Sequence, residues 1–407
     1  AAICAAAGRP VHLLDVTTEA AEAGRGRVDE ANRDLVTAGT FDADLDSLAG
    51  VDWIVEAIVE DLAIKRSLFE RVEAVRRDGS IVTSNTSGIP LRDLAEGMGE
   101  RFGGDVAITH FFNPPQLMKL FELVSGADTE PEVIESLAAF AAGPLDKGVV
   151  YAKDTPNFIG NRVGCYLMLA GLHLAKPYLA DGMSQETIDA VLGRPVGLPP
   201  TGMYGLLDLI GLDVMDLVGT NLAENLGEDD PGFAYARFPE AEQRMLDRGQ
   251  LGRKTGGGFG RMTRHEDGSK DFETFDLTTE DWRPAVEPDL DGVPGDLGEV
   301  LFTETPQGQL AWEIFGGGLR YAADLVPEIS DDVVNIDRAM RWGFNWAQGP
   351  FELLDTIGPA RFVERIEGEG QPLPRMLQVL VDAGADTFYR DDRFLSLDGT
   401  WEPIPET

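Results

Sequence analysis

The first 150 residues alternate short apolar runs with amphipathic segments, which is the pattern of a β/α repeat. The pattern predicts strands at Val11–Asp15, Val51–Ala57, Ile81–Ser84 and Val106–Thr109, and a helix at Leu62–Arg76. Strands that alternate with helices are typical of a parallel sheet that is covered on both faces. Such a sheet binds its ligands at the carboxyl ends of its strands. The alternation therefore predicts a doubly wound α/β domain over residues 1–150.

Longer helical segments follow this domain. Residues 151–262 are predicted to form a mostly helical domain, with a first helix that begins at Pro156 and a second that begins near Ser184, a good N-cap residue. Residues 263–297 are acidic and contain three prolines, so we expect an acidic linker there. The helical pattern returns over residues 298–407.

A short motif occurs in both helical parts. The two copies are Ile188-Asp189 with Leu206-Leu207-Asp208 and Ile210-Gly211, and Ile336-Asp337 with Leu353-Leu354-Asp355 and Ile357-Gly358. Chance similarity of two helices is the alternative, and the shared Ile-Asp start and Ile-Gly end argue against it. We interpret residues 298–407 as a second copy of one helical unit, and we expect the copies to pack against each other.

Charge and composition exclude several classes of protein. The net charge is −37, from 71 acidic and 34 basic residues, and such a field repels nucleic acid and anionic membranes. No apolar run reaches the roughly 20 residues that span a bilayer, so no membrane insertion is expected. Cys4 and Cys165 give no disulfide framework, which favours the cytoplasm. No metal site is predicted.

Three segments contain residues suited to proton transfer. They are Ser84–Gly88, Thr109–Pro115 with Glu122 beyond it, and Lys153–Arg162. His110 follows a predicted strand and Glu122 lies on the next one. A carboxylate that holds Nδ1–H of a histidine leaves Nε2 as the base. The alternatives are a structural histidine and a surface carboxylate, and the apolar neighbours of Glu122 argue against exposure.

The order and wording of these segments resemble the L-3-hydroxyacyl-CoA dehydrogenase family, the NAD-dependent enzymes of fatty-acid β-oxidation. The resemblance implies a Rossmann-like NAD-binding domain followed by duplicated all-α C-terminal domains. It implies the oxidation of L-3-hydroxyacyl-CoA to 3-oxoacyl-CoA, with His110 as general base, Glu122 as its orienting group, and Ser87 and Asn161 as substrate contacts. The implied cofactor-binding residues are Asp15, Glu60, Lys65, Asn85, Ser87, Asn113 and Lys254.

Five of these residues also have a simpler interpretation. Asp15 ends a strand, where an acid favours NAD over NADP because it accepts the ribose hydroxyls, but it could also be a strand-end cap. Ser87 could be a turn residue before a glycine, and Asn161 an amide inside a helix. Lys65 and Lys254 could be solvated surface lysines.

The resemblance also concerns what lies beyond the chain. The family's Gly-x-Gly-x-x-Gly loop is expected before Ala1, so we interpret the sequence as N-terminally truncated, without its first strand and glycine loop. The repeated C-terminal part resembles multifunctional proteins that also have an enoyl-CoA hydratase domain, which implies such a domain or subunit as a partner. Homo-oligomers are also expected. The alternatives are a hydroxy-acid dehydrogenase of the same superfamily and a non-catalytic acyl-CoA-binding fragment.

Overall fold

The computed structural model describes residues 1–265 and 267–406. They form two compact units, residues 1–155 and residues 156–406. Among the described residues, no helix has the length and apolarity that crossing a membrane requires.

The first unit alternates strands and helices. Its strands are β1 Val11–Asp15, β2 Val36–Thr40, β3 Trp53–Glu56, β4 Ile81–Ser84, β5 Val106–Phe111, β6 Leu120–Ser125 and β7 Gly148–Ala152. Its helices are α1 Ala2–Ala6, α2 Thr18–Gly26, α3 Leu62–Val75, α4 Leu91–Ala95, α5 Glu100–Asp105 and α6 Pro131–Ala142. The predicted α/β alternation is confirmed. Asp61 caps α3 by accepting the Ile64 N–H at 2.9 Å, which explains why that helix begins where it does.

The strands form a parallel pair, β1–β2, and a five-stranded sheet in the order β3-β4-β5-β6-β7. The prediction of a parallel, doubly wound sheet holds for the other neighbouring strands and needs one correction, because β6 runs antiparallel to β5. A loop without a helix joins these two strands, and a parallel return would require a longer crossover. Helix α6 packs on this part of the sheet, where Phe121, Leu123 and Leu137 are buried.

The second unit contains two successive sets of helices, each followed by a small sheet. The first set is α7 Gly160–Leu174, α8 Lys176–Ala180, α9 Gln185–Val191, α10 Gly202–Ile210, α11 Leu212–Asn225 and α12 Glu240–Asp247, with β8 Gly260–Arg264, β9 Lys270–Asp276 and β10 Asp281–Pro284. The second is α13 Pro306–Ala311, α14 Gly317–Asp324, α15 Val333–Gly343, α16 Pro350–Ile357, α17 Pro359–Gly368 and α18 Arg375–Asp382, with β11 Tyr389–Arg390, β12 Arg393–Leu395 and β13 Trp401–Pro403.

Equivalent aspartates hold each set together. Asp189 accepts the N–H groups of Tyr204 and Gly205 at 2.7 and 3.0 Å, at the start of α10. Asp337 does the same for Phe351 and Glu352 at the start of α16, at 2.8 and 3.1 Å.

The second aspartates of the motif are equivalent as well. Asp208 accepts the N–H groups of Phe259 and Gly260, and Asp355 those of Phe388 and Tyr389. Asp208 and Asp355 thus each link a helix to the start of the small sheet in the same copy. The structure supports the interpretation of a duplication, and α7 of the first copy packs against α14 and α15 of the second.

Three local predictions for this unit are wrong. The first helix begins at Gly160 rather than Pro156, because Asn157 and Phe158 have left-handed backbones with φ of 61° and 52°. The copies are not all-α, since each includes a three-stranded antiparallel sheet. Residues 263–297 do not form a simple linker, because their described part contains β9 and β10 and the end of β8.

Side-chain pairing explains why this acidic segment folds. The rings of Phe275 and Trp282 meet edge to face at 5.4 Å across β9 and β10. Arg261 lies over Trp282 and pairs with Glu273 at 2.6 Å. Glu273, which the acidic pattern predicted to be solvated, is thus paired within the sheet. The ring and arginine contacts together cover one face of this short sheet.

Candidate active site

His110 and Glu122 lie side by side because of strand register. The antiparallel pairing of β5 and β6 places His110 directly opposite Glu122. Nδ1 of His110 is 2.6 Å from Oε2 of Glu122, and the two residues are 5% and 0% exposed. The ring of Phe112 packs 4.8 Å from the imidazole. The predicted contact is therefore present, with an ionised carboxylate that would keep the proton on Nδ1 and make Nε2 the basic nitrogen.

The loop that follows β5 is held by a buried lysine. The Lys147 ammonium donates to the carbonyls of Pro115 and Met118, the latter at 2.7 Å. Burial lowers the pKa of Lys147. Asn113, a predicted cofactor contact, is exposed on this loop. Lys147 was not predicted from the sequence, and the only signal for it is a lysine that directly precedes an apolar strand.

Asn85 connects the end of β4 to the histidine strand. Its Oδ1 accepts the N–H of Phe111, the residue after His110, at 3.0 Å. Its own N–H donates to the Glu56 carbonyl at 2.8 Å. Asn85 therefore fixes the spacing between the ends of three neighbouring strands.

A buried cluster of charges lies next to this point. Lys65 is 1% exposed, so it is not a solvated surface lysine. Its Nζ is 2.7 Å from Oε1 of Glu56 and 3.2 Å from Oε2 of Glu60. Glu56 also accepts the Ser84 hydroxyl and the Ile58 N–H, at 2.5 and 2.7 Å. Glu56 was missed in the sequence, although an acid that ends an apolar strand was the available signal.

Glu60 connects this cluster to Ser87 through hydrogen bonds. Its Oε1 accepts the Ser87 N–H at 3.0 Å and the Thr86 hydroxyl at 2.5 Å. Thr86 Oγ1 in turn accepts the Ile89 N–H at 2.9 Å. The segment that includes Ser87 is thus a turn with fixed hydrogen bonds, and it connects to β3 through charged side chains.

Asp15 lines an open crevice at the carboxyl ends of β1 and β3. The crevice has a volume of about 780 Å³, and its walls include Phe41, Val59 and Ile64. Val59 and Ile64 are large apolar side chains that are 63% and 50% exposed. Arg71 also lines it, but its guanidinium donates to the Phe41 carbonyl at 2.6 Å. A carboxylate beside an apolar wall suits a nucleoside that offers ribose hydroxyls to the acid.

Asn161 and Lys254 belong to the second unit. Asn161 is the second residue of α7 and is half-buried, so it is not an amide in a helix interior. Lys254 is exposed and forms an ion pair with Asp213, so its interpretation as a surface lysine agrees with its position.

No cluster of three or more His, Cys, Asp or Glu side chains that could hold a metal ion occurs within the described parts of the chain. The arrangement in the first unit instead combines an oriented imidazole, a polar turn and an open crevice that contains the Asp15 carboxylate. Such a set can move a proton next to a bound dinucleotide.

Comparisons with known proteins assign both units to one family. Residues 1–155 match the family described as "3-hydroxyacyl-CoA dehydrogenase, NAD binding domain", and residues 158–262 match "3-hydroxyacyl-CoA dehydrogenase, C-terminal domain". A Bacillus subtilis protein named "Probable 3-hydroxyacyl-CoA dehydrogenase" is 35% identical over 366 residues, which are 88% of this chain and 45% of that protein. The chain thus spans about half the length of this relative.

Two further comparisons cover more of the related protein. A Deinococcus radiodurans protein with the same name is 34% identical over 290 residues, or 67% of this chain and 82% of that one. The crystal structure of 3-hydroxybutyryl-CoA dehydrogenase from Escherichia coli is similar with a TM-score of 0.69, covering 94% of this chain and 95% of that one at 23% identity. That structure supports the Rossmann-like fold with a helical C-terminal part.

Proposed function

Because this chain belongs to the 3-hydroxyacyl-CoA dehydrogenase family, we propose that it oxidises L-3-hydroxyacyl-CoA to 3-oxoacyl-CoA with NAD as hydride acceptor. The observation that supports this most strongly is the buried pair of His110 and Glu122, joined at 2.6 Å by strand register. Oxidation of an alcohol requires a base for the hydroxyl proton, and this pair supplies one.

His110 takes the proton of the 3-hydroxyl on Nε2, and Glu122 stabilises the imidazolium that forms. The Ser87 hydroxyl and the Asn161 carboxamide hold the oxygens of the substrate, as polar contacts that orient the reacting carbon. The hydrogen bonds of Glu60 and Asn85 give the turn around Ser87 a fixed position before substrate binds.

The residues of the crevice fit NAD. The Asp15 carboxylate would accept the adenosine ribose hydroxyls, and the apolar wall of Val59 and Ile64 would contact the adenine. Asn113 and Lys254 are proposed as further contacts to the cofactor. Lys65 is fully buried, so its contribution to this site acts through the position of Glu60. When bound, NAD supplies the hydride acceptor for C3 of the substrate.

We also propose a substrate, a partner and a cellular location for the protein. The substrate is an acyl-CoA, and we propose an enoyl-CoA hydratase domain or subunit as partner because a Rickettsia prowazekii relative, 34% identical over 346 residues, is named "Putative fatty acid oxidation complex trifunctional enzyme". We place the protein in the cytoplasm, given only two cysteines in 407 residues. The net charge of −37 opposes the phosphates of CoA, so salt should lower the KM for the thioester.

The test is NADH oxidation with acetoacetyl-CoA, on this chain and on a version with a strand and a Gly-x-Gly-x-x-Gly loop added before Ala1. We expect His110→Gln to lower kcat by about 10²–10⁴-fold with an unchanged Kd for NADH. The matched control is His265→Gln, since His265 is exposed and its side chain pairs with Asp271 on the hairpin. It should leave both values unchanged.

Other outcomes favour the alternatives. Near-full activity of His110→Gln would remove His110 from the role of base. Turnover of a free hydroxy acid without turnover of any acyl-CoA would favour a hydroxy-acid dehydrogenase. Acyl-CoA binding without a saturable NADH fluorescence signal in either protein would favour a non-catalytic binder.

A further inference from the structure

Arg162 is a buried cation that joins the two copies of the second unit. It is the third residue of α7, directly after Asn161, and its side chain is 1% exposed. Its Nε donates to the Tyr321 hydroxyl at 2.5 Å, and its Nη2 donates to Glu328 Oε1 at 2.8 Å and pairs with Asp230. Tyr321 and Glu328 belong to the second copy, so a residue of the first copy is held largely by the second.

Tyr321 is itself fixed in place. Its hydroxyl donates to Asp230 Oδ1 at 2.9 Å, and its ring stacks on Tyr166 with centroids 3.9 Å apart. Tyr166 lies one turn after Arg162 on α7. Burial raises the pKa of the Tyr321 phenol, so the hydroxyl stays neutral and can accept from the arginine while it donates to the aspartate.

The backbone before α7 needs such support. Asn157 and Phe158 have φ of 61° and 52°, in the left-handed region that residues other than glycine rarely adopt. Phe158 is 0% exposed, and the Arg162 N–H donates to the Asn157 carbonyl at 3.2 Å. A buried arginine cannot move away from its carboxylates without losing their compensation. The turn and the first residues of α7 are therefore fixed on both sides of Asn161.

We propose that the second copy is a positioning element of the substrate site. Tyr321 and Glu328 hold Arg162, and Arg162 holds the first turn of α7 so that the Asn161 carboxamide stays in the orientation that substrate requires. The proposal rests on the proposed function for the role of Asn161. Arg162, Tyr321 and Glu328 are positioning residues in it, and none of them contacts substrate.

The test compares Tyr321→Phe with Tyr389→Phe. Both changes remove one buried phenol hydroxyl of the second copy that donates to an aspartate, since Tyr389 Oη donates to Asp337 at 2.6 Å. We expect Tyr321→Phe to lower kcat/KM for acetoacetyl-CoA about tenfold with an unchanged KM for NADH. Tyr389→Phe should leave both unchanged. Glu328→Gln, at a side chain that is 52% exposed, should act in the same direction as Tyr321→Phe and more weakly.

Hydrogen exchange gives a readout that does not depend on activity. In Tyr321→Phe, amides of residues 157–163 should exchange faster, although the altered side chain is about 160 positions away in sequence. Equal effects of the two tyrosine variants on kcat/KM, or unchanged exchange at residues 157–163, would overturn the proposal. Faster exchange in a protein that turns over no acyl-CoA would leave the mechanical link standing and reject the proposed function instead.

Discussion

Replacing Lys65 by methionine should strongly destabilise the first unit. The lysine is 1% exposed and pairs with two carboxylates, Glu56 at 2.7 Å and Glu60 at 3.2 Å. At an effective dielectric constant of about 20, these attractions are about 6 and about 5 kcal/mol. Desolvation of the three groups offsets most of that gain, so we expect the free energy of unfolding to fall by about 3–5 kcal/mol, the usual loss when one partner leaves a buried ion pair.

The assay is urea unfolding at neutral pH, with two controls. Lys65→Met leaves the Glu56 carboxylate buried without its cation, and that uncompensated charge is the source of the expected loss. Adding Glu56→Gln removes that buried charge and should restore about 1–3 kcal/mol, a normal coupling between residues in contact. The matched surface control is Lys270→Met on the exposed hairpin, which should change stability by less than about 0.5 kcal/mol.

Two results would refute this reasoning. One is a loss of less than about 1 kcal/mol in Lys65→Met at neutral pH, comparable to a surface substitution. The other is a double variant that is no more stable than Lys65→Met. Either would mean that the cluster is hydrated in solution and does not hold Glu60 and the Ser87 turn.

Three more predictions concern the site and the helical copies. Glu122→Gln should lower kcat by about 10²-fold with an unchanged Kd for NADH, because the imidazolium loses its carboxylate; steady-state kinetics check this. Gly202→Ala and Gly349→Ala should each cost about 2–3 kcal/mol in urea unfolding, because a Cβ at either position would overlap the backbone of the buried aspartate beside it. Burial raises the pKa of Asp189 and of Glu242 from ordinary values near 4 to about 7, so their contribution to stability is complete below about pH 4 and is lost as pH rises to 7, and the urea midpoint should fall between about pH 4 and about pH 7 and level off above it.

That His110 and Glu122 lie near each other could be predicted from their positions on two successive strands, but the antiparallel register that joins them was not predicted. Two apolar strands joined by a loop too short for a helix must pair antiparallel, and the register then brings the two polar residues together. The sequence predicted both strands but assigned them to a parallel sheet. The reversal of β6, which makes the contact direct, depends on how the short loop folds and on Lys147, which holds two of its carbonyls.

The burial of Lys65 could not be predicted in the same way. Its position in α3 has the spacing of an amphipathic helix, where a lysine is normally solvated. It is buried because the first turn of α3 lies against the end of β3, where Glu56 stands nine residues earlier. Periodicity describes which face of a helix is apolar, whereas an ion pair between an acid at a strand end and a base in the following helix depends on tertiary geometry. The sheets of the helical copies were missed for a related reason, since acidic strands such as β9 have weak alternation.

The repeated motif is formed by contacts within each copy, whereas the proposed substrate residue depends on a contact between the copies. Asp189 and Asp337 accept backbone N–H groups at the start of equivalent helices, and Gly202 and Gly349 leave room for them. These contacts hold a helix pair together and would be needed in any copy, whether or not it bound substrate. Arg162 is different, because two of its three side-chain partners, Tyr321 and Glu328, come from the other copy. A duplicated unit can therefore keep its own internal contacts and, through one buried cation, also fix the helix start that contains a proposed substrate residue.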